Sequence, residues 1–169
     1  MEEPGLRTDD LLSLLIGAIV IDTIIIAMNY ARVIFISDEL TRWYTTFRIS
    51  AMAMDVLIIV LYATAGIRLA RRIDKNASAY LEIVCILLIQ LMGDVLFYLF
   101  FEAVPSGTLV FDIFKDYASE VKYHALWSDA LMMLFTYAIA NALCDASLDT
   151  KTLCLIVVLY VSQYILFLK

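Results

Sequence analysis

An aspartate stands inside each of four successive apolar stretches of this chain. They are Asp22 in IVIDTIII, Asp55 in AMDVLIIV, Asp94 in MGDVLFYLFF and Asp129 in SDALMMLF. Each stretch is about the 20 residues that a helix needs to cross roughly 30 Å of hydrocarbon. A carboxylate at that depth costs about 2.5–3.5 kcal/mol on insertion scales. Of the 169 residues 63% are hydrophobic, and the mean hydropathy is +0.88; a soluble domain would be about half apolar. The charges gather in short intervals between the apolar blocks. The pattern predicts one all-α domain over residues 1–169, a polytopic integral membrane helix bundle.

Five spans are expected, at about 11–36, 46–70, 79–101, 125–144 and 152–168. Thr8 or Asp9 is a candidate cap for the first, and SDELTR reads as a loop before the second. Glu82, near the start of the third, is expected to snorkel to the interface. Between spans three and four, residues 107–122 repeat apolar side chains at three to four positions (Val110 or Phe111, Phe114, Tyr117, Val121). This stretch reads as an amphipathic interfacial helix or a continuous lead into span four. The fifth span carries only Ser162 and Gln163 as polar interior candidates. The basic cluster Arg68, Arg71, Arg72 and Lys75 follows span two and, with Arg7 and Lys151, predicts a cytoplasmic N-terminus.

Helical spacing groups the polar residues of each span onto one face. Asp22 pairs with Asn29 in span one, with Arg32 near its end. Arg48, Asp55 and Tyr62 form the seam of span two, Gln90, Asp94 and Tyr98 that of span three, and Lys122, Asp129 and Thr136 that of span four. At about 1.5 Å per residue, Asp55, Asp94 and Asp129 fall in the same outer half of the bilayer, with Asp22 beneath them near mid-depth. Arg32, Arg48 and Lys122 lie at or above that level. Two roles fit. The aspartates could pair with these cations as ties between helices, which are costly to break at about 3–5 kcal/mol. Alternatively, crowded carboxylates in a low dielectric cannot all ionise, and could carry protons or, with water, bind a cation.

Other chemistries find little support. The three cysteines, Cys85, Cys144 and Cys154, lie in or at the ends of apolar spans and match no disulfide framework or zinc spacing. His124 is the single histidine, beside Tyr123 and Trp127, and reads as part of an interfacial aromatic belt. No phosphate loop, HExxH or CxxC is present, so no enzyme activity, cofactor or metal is expected. A net charge of −6 favours neither nucleic acid nor an anionic lipid surface as a partner. The pairs Asp22 to Tyr30, Asp55 to Tyr62 and Asp129 to Tyr137 suggest a repeat, over too short a stretch to establish duplication.

Residues 93–134 carry a string of recognisable motifs. Asp94, Leu96, Phe97 and Tyr98 form DxLFY, followed by a turn with Pro105 and Gly107. Phe114, Lys115, Tyr117, Ala118, Glu120 and Val121 form FKxYAxEV, and Asp129, Leu131, Met132 and Met133 form DxLMM. This region resembles a family of small multi-pass membrane proteins of nucleocytoplasmic large DNA viruses, the giant viruses and phycodnaviruses among them. Lys122, Tyr123 and His124 depart from that pattern, in which a glycine is expected nearby. The resemblance implies a structural or assembly component of the internal, host-derived virion membrane, contacting virion or capsid proteins. It implies no activity. The alternative from the residues themselves is a proton or cation channel or transporter built on the aspartates.

Overall fold

The computed structural model describes residues 10–34, 36–121 and 124–168. Among these the chain forms seven helices: α1 (Leu11–Tyr30), α2 (Asp38–Phe47), α3 (Ile49–Ile73), α4 (Ala79–Ala103), α5 (Leu109–Val121), α6 (His124–Leu143) and α7 (Leu148–Leu166). Five of them, α1, α3, α4, α6 and α7, are long and apolar enough to cross a bilayer. Four of the starts have a side-chain cap. Asp10 accepts the Ser13 N–H at 3.1 Å and so caps α1; the expected caps Thr8 and Asp9 lie outside the described residues. Ser37, Ser78 and Ser147 cap α2, α4 and α7 in the same way.

The largest departure from expectation lies between the first two spans. The α1 helix stops at Tyr30 rather than running to Ile36, and the backbone turns at Arg32 with φ 56°. The segment read as the loop SDELTR instead opens the ten-residue helix α2, which buries Trp43 and Tyr44 and leaves Asp38, Arg42 and Thr46 exposed. Such a helix is stable along an interface, whereas α3 must enter the apolar core, so the axis has to break between them. The break falls at Arg48, whose φ of 49° is uncommon for a side chain with a Cβ.

The core centres on α1, which packs against α3, α6 and α7, while α3 packs on α4 and α4 on α6. On Gly66 of α3, a Cβ would lie 2.5 Å from the Ile86 Cα of α4, so glycine lets these two backbones touch. The α7 helix is held by polar ties to α1 and to the α2–α3 junction. Lys151 Nζ lies 2.7 Å from Asp10 Oδ2 and 3.0 Å from the Cys144 carbonyl. The hydroxyls of Thr23 and Ser162 meet at 2.7 Å. The Arg48 guanidinium donates to the Leu166 carbonyl at the helix end. The amphipathic helices α2 and α5 pack together across one end of the bundle.

Candidate functional site

Because α1 ends early, its aspartate is raised to the level of the others. Along their axes Asp22 lies about 12 Å from the end of α1, Asp55 about 9 Å from the start of α3, Asp94 about 13 Å from the end of α4 and Asp129 about 8 Å from the start of α6. Those four ends are the ones joined by α2 and α5. All four carboxylates thus occupy one layer beneath the interfacial helices, and Asp22 is not the deeper outlier that a longer first span implied.

The α2 helix reaches down into that layer. The Tyr44 hydroxyl oxygen stands 2.8 Å from Asp22 Oδ1 and 2.7 Å from Asp55 Oδ2. The Trp43 indole N–H donates to the same Asp55 oxygen at 3.1 Å. Burial first, and then the Asp22 and Asp55 carboxylates, hold the Tyr44 phenol well above its usual range, so it keeps its proton. That single O–H can donate to one carboxylate only. For the second contact to be a hydrogen bond as well, the other carboxyl must bring a proton and donate it to the phenol oxygen. With both contacts as hydrogen bonds, the trio Asp22–Tyr44–Asp55 holds two protons among its three oxygen groups. Asp22 is fully buried, and among the described residues its second oxygen, Oδ2, has no hydrogen-bond partner.

The other two aspartates lie on α4 and α6. Gln90 Nε2 donates to Asp94 Oδ2 one turn away, and the Ser128 hydroxyl is 3.5 Å from Asp129 Oδ1. Tyr62 of α3 lies over Gly93, the neighbour of Asp94, so tightly that a Cβ there would come 2.2 Å from the phenol oxygen. The α5 helix contributes Tyr117, whose phenol is raised by burial and then by the negative charges of Asp129, Asp55, Glu120 and Asp94. Tyr117 is thus within electrostatic reach of Asp55, Asp94 and Asp129 together.

Above this layer α2 and α5 are clamped. The Glu120 carboxylate accepts the Ser37 hydroxyl at 2.7 Å and the backbone N–H groups of Asp38 and Glu39 at 2.9 and 3.1 Å. It therefore sits at the positive N-terminal end of α2. Burial acts to raise Glu120, but these three hydrogen bonds outweigh it and hold the carboxyl below its ordinary value. Arg42 joins Glu39 and Asp116 at 3.2 Å each. Below, Trp43 packs at a tilt of 54° on Phe114, which stacks on Phe101 at 4.7 Å.

Two of the three cations expected to pair with the aspartates, Arg32 and Arg48, are placed elsewhere. Arg32 is exposed and pairs with Asp38. Arg48 donates to Leu166, with its guanidinium 5.0 Å from the centre of the Phe167 ring. Lys122 lies outside the described residues. Among the described residues none of Asp22, Asp55, Asp94 and Asp129 is in an ion pair. Helix geometry explains the difference: both arginines fall on chain reversals rather than within spans, so their side chains serve the turn. Asn29 likewise serves the turn, donating to Thr41 Oγ1 at 2.9 Å and accepting the Ser37 N–H at 3.0 Å. Tyr98 is 55% exposed and leaves the seam, and Thr136 is buried with its backbone against Gly17.

A buried carboxylate with a cation beside it lies at the opposite end of the bundle. Glu82 does not snorkel: it is fully buried, takes the Arg71 guanidinium at 3.0 Å and accepts the Tyr137 hydroxyl at 2.7 Å. Arg71 thereby leaves the basic cluster, whose other members Arg68, Arg72 and Lys75 are exposed.

Sequence spacing does not single out Trp43 and Tyr44, which follow the SDELTR loop at the edge of the second expected span, and it misses the Glu82–Tyr137 contact. The overlooked signal for α2 was Ser37 followed by two acidic residues, an N-terminal helix signature. Around one ion, no three His, Cys, Asp or Glu side chains converge among the described residues. Instead, a phenol bridges Asp22 and Asp55, an indole donates to Asp55 and an amide donates to Asp94. Fold and site together define an α-helical, polytopic membrane protein whose carboxylate layer, under an interfacial roof, has no ion pair among the described residues. Protein-family models, curated proteins and solved structures return no match to this chain.

Proposed function

We propose that the protein is a non-enzymatic membrane protein that binds and relays protons through its aspartate layer. The observation that carries this reading is Tyr44 set between Asp22 and Asp55, two carboxylates and a phenol with no cation paired to them among the described residues. A hard metal ion asks for several converging oxygens, whereas here one phenol bridges two carboxylates, which suits a proton better. Asp94, Asp129, Tyr62 and Tyr117 extend the same chemistry to neighbouring helices. The ties that hold the helices are a separate set, Arg71–Glu82–Tyr137 and Lys151–Asp10, so a purely adhesive role is not needed for the aspartates.

In this reading the N-terminus faces the cytoplasm, supported by the basic residues after α3, and the carboxylate layer lies in the outer half. The likeness of residues 93–134 to giant-virus membrane proteins supports a place in a virion's internal membrane. There the exposed acids of α2 and α5 would meet virion or capsid proteins.

Reconstitution into liposomes with an internal pH dye and an imposed potential tests the proposal. Proton flux is expected from the native protein, with strong loss in Asp22→Asn/Asp55→Asn. Absent flux, or flux unchanged in that variant, overturns it.

A further inference from the structure

Three cations at the end of α3 have no acidic partner. Arg68, Arg72 and Lys75 are exposed, and none takes part in an ion pair among the described residues. Their neighbour Arg71 points the other way, into Glu82. Asp74 stands between them in sequence, but its carboxylate accepts the Asn76 N–H at 2.9 Å within the turn.

These cations do not stand on an otherwise polar surface. The buried side of α3 is Met52, Val56, Ile59, Ala63, Ile67 and Ala70. On the opposite side, Leu57, Leu61, Arg68 and Arg72 fall within about 60° of one another around the axis, at 100° per residue. Leu57 and Leu61 are 64% and 60% exposed. Arg68 is about 16 Å along the axis from Leu57, close to the roughly 15 Å depth of one leaflet's hydrocarbon. The stripe is thus apolar for the length of an acyl chain and cationic where a phosphate would lie.

We infer that this face of α3 is a binding site for an anionic phospholipid, its phosphate on Arg68, Arg72 and Lys75 and its chain along Leu61 and Leu57. Arginine suits a phosphate diester through its fork of N–H donors, and basic clusters flanking a span attract acidic headgroups. The net charge of −6 argues against anionic surfaces only for the molecule as a whole. Six exposed or half-buried acids, Asp38, Glu39, Glu102, Asp112, Asp116 and Glu120, belong to the other end of the bundle, around α2 and α5. At the cationic end Asp145 and Asp149 are exposed as well, but they belong to the α6–α7 connection and to the first turn of α7.

The test uses the full chain in vesicles of equal phosphatidylglycerol and phosphatidylcholine, released into native mass spectrometry to read which lipid stays bound. Retention of phosphatidylglycerol over phosphatidylcholine is expected, with the preference falling about tenfold or more in Arg68→Gln/Arg72→Gln/Lys75→Gln. Arg68→Lys/Arg72→Lys keeps the charge and is expected to keep most of the preference. Should the triple variant not accumulate, Arg72→Gln alone is expected to lower it several-fold. Equal retention of both lipids, a preference unchanged in the glutamine variants, or displacement of the lipid by millimolar inorganic phosphate overturns the assignment. All of these readouts are independent of proton flux.

Discussion

Tyr44 of α2 and Asp22 of α1, 22 positions apart in sequence, meet at 2.8 Å between hydroxyl and carboxyl oxygens. The contact brings an interfacial helix into the buried layer, because Tyr44 also touches Asp55 of α3 at 2.7 Å. Removing the hydroxyl leaves two carboxyl oxygens without their shared partner, one of them on the fully buried Asp22. Tyr44→Phe is therefore expected to lower unfolding free energy in detergent by about 1–3 kcal/mol, the usual cost of leaving a buried polar group unmet. It should also diminish proton flux. Infrared spectra at neutral pH should show a protonated carboxyl in the native protein that is lost in Asp22→Asn/Asp55→Asn. Without such a band, the two-proton count for the trio is wrong.

The opposite end of the bundle gives a contrasting expectation. Glu82 is fully buried between Arg71 and Tyr137 and ties α3, α4 and α6 together. Glu82→Gln strands the guanidinium, and breaking one side of such a pair costs about 3–5 kcal/mol. Replacing the set with apolar residues of similar volume, Arg71→Met/Glu82→Leu/Tyr137→Phe, should cost less than the single change. Denaturation in mixed micelles measures both. A triple variant weaker than the single one would show that the pair contributes more than its own desolvation.

How much of this was legible beforehand follows from what each residue depends on. Length and hydropathy require five membrane-crossing helices, since a backbone in hydrocarbon must satisfy its own hydrogen bonds. Periodicity placed Asp55, Asp94 and Asp129 in one layer, because each lies within a span whose near end the sequence marked closely enough. Asp22 was set too deep because nothing apolar ends at Tyr30: Val33, Ile34 and Ile36 continue the greasy run and are exposed past the turn. Partner choice was the least legible part. Arg32 and Arg48 stand at the right depth to neutralise aspartates, yet positive φ values at both turn their side chains to Asp38 and to the end of α7. Tyr44 and Glu120 act across gaps of tens of residues, where spacing along one helix carries no information.

The clamp between α2 and α5 has a definite pH dependence. Glu120 is held below its ordinary value of 4.5 by hydrogen bonds that only the folded chain supplies. Its contribution is therefore complete above the unfolded value and disappears as pH falls through the lower folded value. Acidification from pH 5 downward should loosen α2 from α5, read as faster hydrogen exchange at the Asp38 and Glu39 amides. In Glu120→Gln these amides should exchange faster already at pH 6, and their acid dependence should flatten. Equal exchange in both proteins would place the clamp's strength in Arg42 and the aromatic stack instead.

Two glycines separate packing from site geometry. A methyl on Gly66 meets the Ile86 backbone, Cα at 2.5 Å and N at 2.6 Å. Backbone cannot swing aside, so Gly66→Ala must push α3 and α4 apart, at about 1–3 kcal/mol for overpacking. A methyl on Gly93 meets the phenol of Tyr62 at 2.2 Å. That is the far end of a side chain on a partly exposed position, and it can rotate away. Gly93→Ala is accordingly expected to cost less stability than Gly66→Ala while moving Tyr62 away from Asp94. If protons pass between the two halves of the layer near Tyr62, Gly93→Ala lowers flux with little change in the unfolding midpoint, whereas Gly66→Ala lowers the midpoint first. Equal loss of midpoint in both variants would mean that Tyr62 is as fixed as the backbone, wedged between α3 and α4.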